Sequence, residues 1–121
     1  MKLSYVVLYC KDSDENAKFW TEQLGMVKKD EIQIGEHKVI KVGFVDQTFS
    51  FELVPLELMQ ENPDGLDLAT PSIAFEVENI EELHTQLSAR GVKATEPNDH
   101  MGRMSFAFAD NEERWFAVLK A

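Results

Sequence analysis

The chain contains one structural plan written twice. Tyr5-Val6-Val7-Leu8-Tyr9-Cys10-Lys11-Asp12 opens a segment that runs through a helix-like stretch to Leu24-Gly25-Met26-Val27. Ser72-Ile73-Ala74-Phe75-Glu76-Val77-Glu78-Asn79 opens a second that runs to Arg90-Gly91-Val92. Tyr5 matches Ser72 and Gly25 matches Gly91, which removes one residue from the second helix. Repeated units build paired surfaces, so the repeat predicts a shared cleft.

The local signals agree between the copies. Val, Leu and Tyr over 3–10 read as a strand. Asp12 with Glu15 has capping-box spacing, and Asn79 with Glu82 repeats it. Ala17, Trp20 and Leu24 make one helical stripe; Ile80, Leu83 and Leu87 make the other. Gly25 and Gly91 supply the stops, because glycine takes positive φ without a Cβ clash. Strands are expected at 26–34, 37–45 and 48–54 in the first copy. In the second they are expected at 71–77, 92–95, 103–109 and 114–119, with a polar loop over 96–102. Each copy reads β-α-β-β-β. The prediction is an α+β fold: one domain, 1–121, of two tandem βαβββ modules, 1–55 and 71–121, joined by connector 56–70 and forming a cleft-bearing curved sheet.

Charge narrows the partners. The 121 residues carry 22 acids against 12 bases, a net charge of −10. Nucleic acid needs basic patches, so it is excluded as an expected partner. An acidic cleft concentrates cations, although acidity also serves solubility alone. No apolar run approaches the roughly 18 residues of a membrane span, and Met1-Lys2-Leu3 begins no signal sequence. A lone Cys10 forms no internal disulfide and fits a reducing compartment. A cytoplasmic protein is expected.

In order and spacing, these segments resemble the vicinal oxygen chelate superfamily, also called the glyoxalase/bleomycin-resistance/dioxygenase family. The resemblance rests on Val6–Asp12, Phe19-Trp20, Leu24-Gly25-Met26, Phe51-Glu52-Leu53, Ile73–Val77, Gly91-Val92 and Phe108-Ala109-Asp110-Asn111-Glu112. It implies a homodimer and a cleft in which metalloenzymes of the family hold a divalent ion, typically by His, Glu, His and Glu. By position, those sites fall on Tyr5, Glu52, Ser72 and Ala117. Only Glu52 is a usable ligand, whereas a catalytic metal normally takes at least three. No metal and no cofactor are therefore expected.

Strand alternation selects what faces the cleft. Tyr5, Val7 and Tyr9 point one way, and Val6, Leu8 and Cys10 the other. The same parity selects Ser50, Glu52 and Val54, then Ser72, Ala74 and Glu76, then Trp115, Ala117 and Leu119. Tyr5, Tyr9, Glu52, Ser72, Glu76, Met101, Arg103, Trp115 and Ala117 are thus the candidate ligand-binding residues. Aromatic faces stack or hold cations, carboxylates pair with them, and Ser and Ala leave room. Each has a plainer reading: Tyr5 and Trp115 as core or interface residues, Glu52 as a partner of Arg103 or Arg114. The reading reached is a metal-free, drug-resistance-like binder of a cationic or aromatic compound. The alternatives are a lyase, isomerase or dioxygenase using Glu52 as base or in an unconventional metal site, and a partner protein with a vestigial cleft.

Overall fold

A computed structural model describes all residues, Met1–Ala121. The chain divides into two compact units, Met1–Thr70 and Pro71–Ala121.

In the first unit, strand β1 (Val6–Cys10) leads into helix α1 (Ser13–Glu22), then β2 (Val27–Ile34), β3 (His37–Gly43) and β4 (Phe51–Pro55). The sheet order is β1-β4-β3-β2. β1 and β4 are parallel, which a helix crossover permits, and the other pairs are antiparallel. Asp12 caps α1 as its spacing predicts, its side chain accepting from the Glu15 amide. The helix lays Ala17 and Trp20 against the sheet, with the Trp20 ring edge-on to Phe51 at 5.1 Å. Leu8, Cys10, Ile40, Val42, Phe51 and Leu53 complete this core. Tyr9 on β1 and Glu52 on β4 are partly exposed between buried neighbours, whereas Val54, which shares Glu52's parity, is buried.

The second unit runs β5 (Ala74–Val77), α2 (Ile80–Ala89), β6 (Asn98–His100), β7 (Arg103–Ala109) and β8 (Trp115–Lys120), with sheet order β5-β8-β7-β6. Asn79 caps α2 by accepting from the Glu82 amide, and its own amide donates to the Glu82 carboxylate. Ile80 and Leu87 join Phe106, Phe108, Phe116 and Val118 in the core. His84 does not face solvent: its ring packs edge-on to Phe106 at 5.1 Å.

Three details depart from expectation. The helices are equal, ten residues each, so the missing residue is not in α2. It is in the closing turn. Gly91 closes α2 with a Schellman pair, Val92 N–H to Leu87 and Gly91 N–H to Ser88, whereas Met26 N–H reaches one residue further back, to Trp20. The 92–95 strand contracts to a single bridge, Ala94 with Phe108, and pairing resumes as β6 inside the expected loop. Pro97 stands between the two stretches and has no N–H to donate to the ladder. β5 begins only at Ala74, so Ser72 precedes the strand, just after Pro71.

Candidate functional site

Register puts four first-unit side chains in one row across the open face. Val7 of β1 is opposite Glu52 of β4, Glu52 opposite Lys41 of β3, and Lys41 opposite Asp30 of β2. The Lys41 ammonium lies 3.9 Å from the Glu52 carboxylate, whose side chain is 18% exposed. The same ammonium sits over the Tyr5 ring, 4.3 Å from its centroid. Sequence reasoning paired Tyr5 with Glu52 but missed the cation that joins them. It also offered Arg103 or Arg114 as partners of Glu52. Arg103 instead bonds Glu76 at 2.7 Å, and Arg114 bonds Asp110 at 2.8 Å.

A hollow of about 620 Å³ opens beside this row, with Lys2, Lys29, Lys41, Asp30, Tyr5 and Phe49 in its wall. Lys29 reaches it through a β-bulge. The β2–β3 pairing runs from Lys28 to Asp30 and leaves Lys29 as the extra residue. Bulges re-aim a side chain in this way. The Lys29 stem lies across Gly43: a Cβ there would meet Lys29 Cε at 3.1 Å, Nζ at 3.2 Å and the Phe49 carbonyl oxygen at 2.5 Å. Its ammonium donates to the Gln47 carbonyl.

In the second unit, Ala74, Ala117 and Ala107 are mutually opposed across β5, β8 and β7 and form a flat strip. Trp115 starts β8 two residues before Ala117, on the same face and 50% exposed. Glu76 and Arg103 bond each other, and Arg103 Nε also donates to the Lys120 carbonyl. Ser72 is exposed ahead of the strand. Met101 is at the tip of the β6–β7 hairpin, exposed and at φ +56°, with Gly102 at φ +81°. The structure therefore joins Tyr5 to Glu52 through Lys41, and Glu76 to Arg103.

The Trp115 placement depends on the preceding turn. Asp110 is buried, and one carboxylate oxygen accepts from the Glu112 and Arg114 amides. The other accepts from Arg114 Nε at 2.9 Å. This fixes the turn that delivers β8.

The metal of related metalloenzymes does not fit these residues. The positions that the family resemblance assigns to the metal, Tyr5, Glu52, Ser72 and Ala117, carry a phenol, one carboxylate, a hydroxyl and a methyl group, and the carboxylate already faces an ammonium. No three His, Cys, Asp or Glu side chains are grouped to hold an ion.

Two βαβββ units, each with one covered and one open sheet face, define a recognisable class of α+β protein. The family model for the glyoxalase/bleomycin resistance protein/dioxygenase superfamily matches residues 2–118. The chain belongs to that superfamily. It is 27% identical over 118 residues to the uncharacterized protein YurT of Bacillus subtilis strain 168, covering 92% of this chain and 91% of YurT. A superfamily member from Sphaerobacter thermophilus shares the fold with a TM-score of 0.83 at 19% identity, covering 100% of this chain and 98% of that one. TnmS3, an antibiotic binding protein from Streptomyces sp. CB03234, matches with a TM-score of 0.80 at 13% identity, covering 99% of this chain and 95% of its own. No helix is long and apolar enough to cross a membrane.

Proposed function

We propose that this chain is a small-molecule-binding protein that captures a flat aromatic compound without a metal. One observation carries the reading. Lys41 stands between Tyr5 and Glu52, so the only carboxylate at the metal positions is matched by a built-in cation. In the first unit the exposed Tyr5 ring provides stacking surface; in the second, Trp115 does so, and the alanine strip beside it leaves room for a ring. TnmS3 supplies a precedent for antibiotic binding on this fold. The cationic ligand that net acidity suggests has less support, because Lys41 already takes Tyr5 and Glu52, and Arg103 takes Glu76.

The test is calorimetric titration with a panel of aromatic antibiotics, with and without EDTA, beside elemental analysis of the purified protein. Binding unaffected by EDTA, weakened by Tyr5→Ala or Trp115→Phe, supports capture. Stoichiometric bound metal, binding lost in EDTA, or no Kd below about 1 mM, roughly 4 kcal/mol of affinity, overturns it. The family likeness also leads us to propose a homodimer, which sedimentation equilibrium tests directly.

A further inference from the structure

The lysines of the first-unit hollow point to the sign of the ligand. We infer that this hollow takes the anionic oxygen group of an aromatic acid, a carboxylate or acidic phenol, with Lys29 and Lys41 as its partners. The inference rests on the aromatic-capture reading and adds the charge.

Charge distribution is the first support. The whole chain is strongly acidic, with 22 acids against 12 bases. The hollow reverses that balance, with Lys2, Lys29 and Lys41 against Asp30 alone. Asp30 is partly engaged, since one of its carboxylate oxygens accepts from the Glu31 amide at 2.9 Å. Glu52 lies behind Lys41 and holds it.

Construction is the second support. An unconstrained surface lysine sweeps out a wide volume and spends entropy when it is held. These two are already held. The bulge gives Lys29 its direction, Gly43 gives its stem room, and the Gln47 carbonyl takes one of its three N–H groups. Two N–H groups remain for an incoming oxygen. Lys41 is located by Glu52 on one side and the Tyr5 ring on the other. A ligand carboxylate meeting two pre-placed ammonium groups loses less ordering entropy than one that must gather them. Tyr5 and Phe49 in the same wall offer ring contact to the rest of the molecule.

The experiment uses three naphthalene probes of one shape: 2-naphthoate, 2-naphthalenemethanol and 2-naphthylmethylammonium. Each is titrated calorimetrically into the full-length protein at low salt. The expected result is that naphthoate binds about tenfold tighter than the alcohol, the ratio that about 1.4 kcal/mol of charge pairing gives. The ammonium probe binds weakest. Lys29→Met removes most of the naphthoate advantage, read as the ratio of naphthoate to alcohol affinity in the same variant; Lys29 is exposed, so the variant folds. Lys41→Met gives a second reading of the same loss, and added salt reduces the advantage because both ammonium groups are partly solvated. If the alcohol binds but naphthoate has no advantage, or if Lys29→Met and Lys41→Met leave that advantage intact, the anionic assignment is overturned while aromatic capture stands. If no probe binds, and the antibiotic panel also fails, both fall together.

Discussion

Asp110→Ala provides a sharp stability test, because four contacts end on one buried carboxylate. Its side chain is 0% exposed and that of Arg114 is 12% exposed. One oxygen takes the Glu112 and Arg114 amides at 3.0 and 2.9 Å, and the other takes Arg114 Nε and Nη2 at 2.9 and 2.8 Å. Removing one partner of a buried pair costs about 3–5 kcal/mol, since the other charge is left without compensation. The guanidinium keeps a little contact with solvent, which places the expected loss near the low end, about 3 kcal/mol. A domain has only about 5–15 kcal/mol to lose. For a chain of this size the melting temperature should fall by roughly 10–15 °C. Asp110→Asn keeps an acceptor for the turn amides but loses the charge, so its cost should be about half, near 1.5 kcal/mol. Urea unfolding followed by circular dichroism measures both variants, and a double-mutant cycle with Arg114→Ala isolates the pair. Hydrogen exchange at the Trp115 amide should quicken in parallel, because the turn sets the start of β8. A loss below about 1 kcal/mol for Asp110→Ala, with no coupling in the cycle, would refute the claim that this ion pair holds the turn.

Three further outcomes follow from single residues. Met101 holds φ +56° beside Gly102 at +81°, the two positive values of a tight hairpin turn; Met101→Asn should stabilise by about 0.5–1 kcal/mol, read as a rise in urea midpoint, since asparagine tolerates that conformation. Gly43→Ala forces a Cβ to within 2.5 Å of the Phe49 carbonyl oxygen, a backbone atom that cannot swing aside; a loss of about 1–3 kcal/mol is expected, with altered exchange at the Lys29 and Phe49 amides. Glu31 titrates below the usual carboxylate range, chiefly through its hydrogen bond to the Lys28 ammonium at 2.7 Å. A lowered carboxylate pKa gives stability that is present above its unfolded value and lost as pH falls through the lowered one. Carbon-detected NMR titration should find that low midpoint, and Lys28→Met should move it upward.

The repeat made the fold readable because each copy carries the same cap, stripe and glycine stop. Asp12 with Glu15 and Asn79 with Glu82 are local chemistry, and local chemistry survives in a sequence. Alternation likewise placed Glu52, Trp115 and Ala117 on open faces. Cross-strand neighbours were not readable in this way. Glu52 meets Lys41 because β3 returns beside β4 in one register, and a slip of one residue would have turned Lys41 into the core. The Val39-Ile40-Lys41-Val42 stretch does carry a signal, a lysine at strand period among apolar residues. Lys29 carried none, since a bulge follows from pairing that no single strand displays. The polar 96–102 stretch reads as a loop, yet Pro97 only interrupts an edge that resumes at Asn98.

On the proposed capture reading, Lys41 lets the first-unit face hold a ligand without a metal. A divalent ion on such a face would do two things: bind the carboxylate that projects there, and attract oxygen atoms of a ligand. The Lys41 ammonium does the first at 3.9 Å from Glu52. It supports the second more weakly, as one charge with three donors and no Lewis acidity. Attraction without Lewis acidity favours holding a ligand over polarising it for reaction. Replacing Lys41 therefore distinguishes the two roles. Lys41→Met should weaken anionic probes while leaving Glu52 without its partner. The double variant Lys41→Met/Glu52→Gln should recover folding stability without recovering probe affinity. Recovery of both would mean that the pair shapes the face and that the ammonium itself attracts nothing.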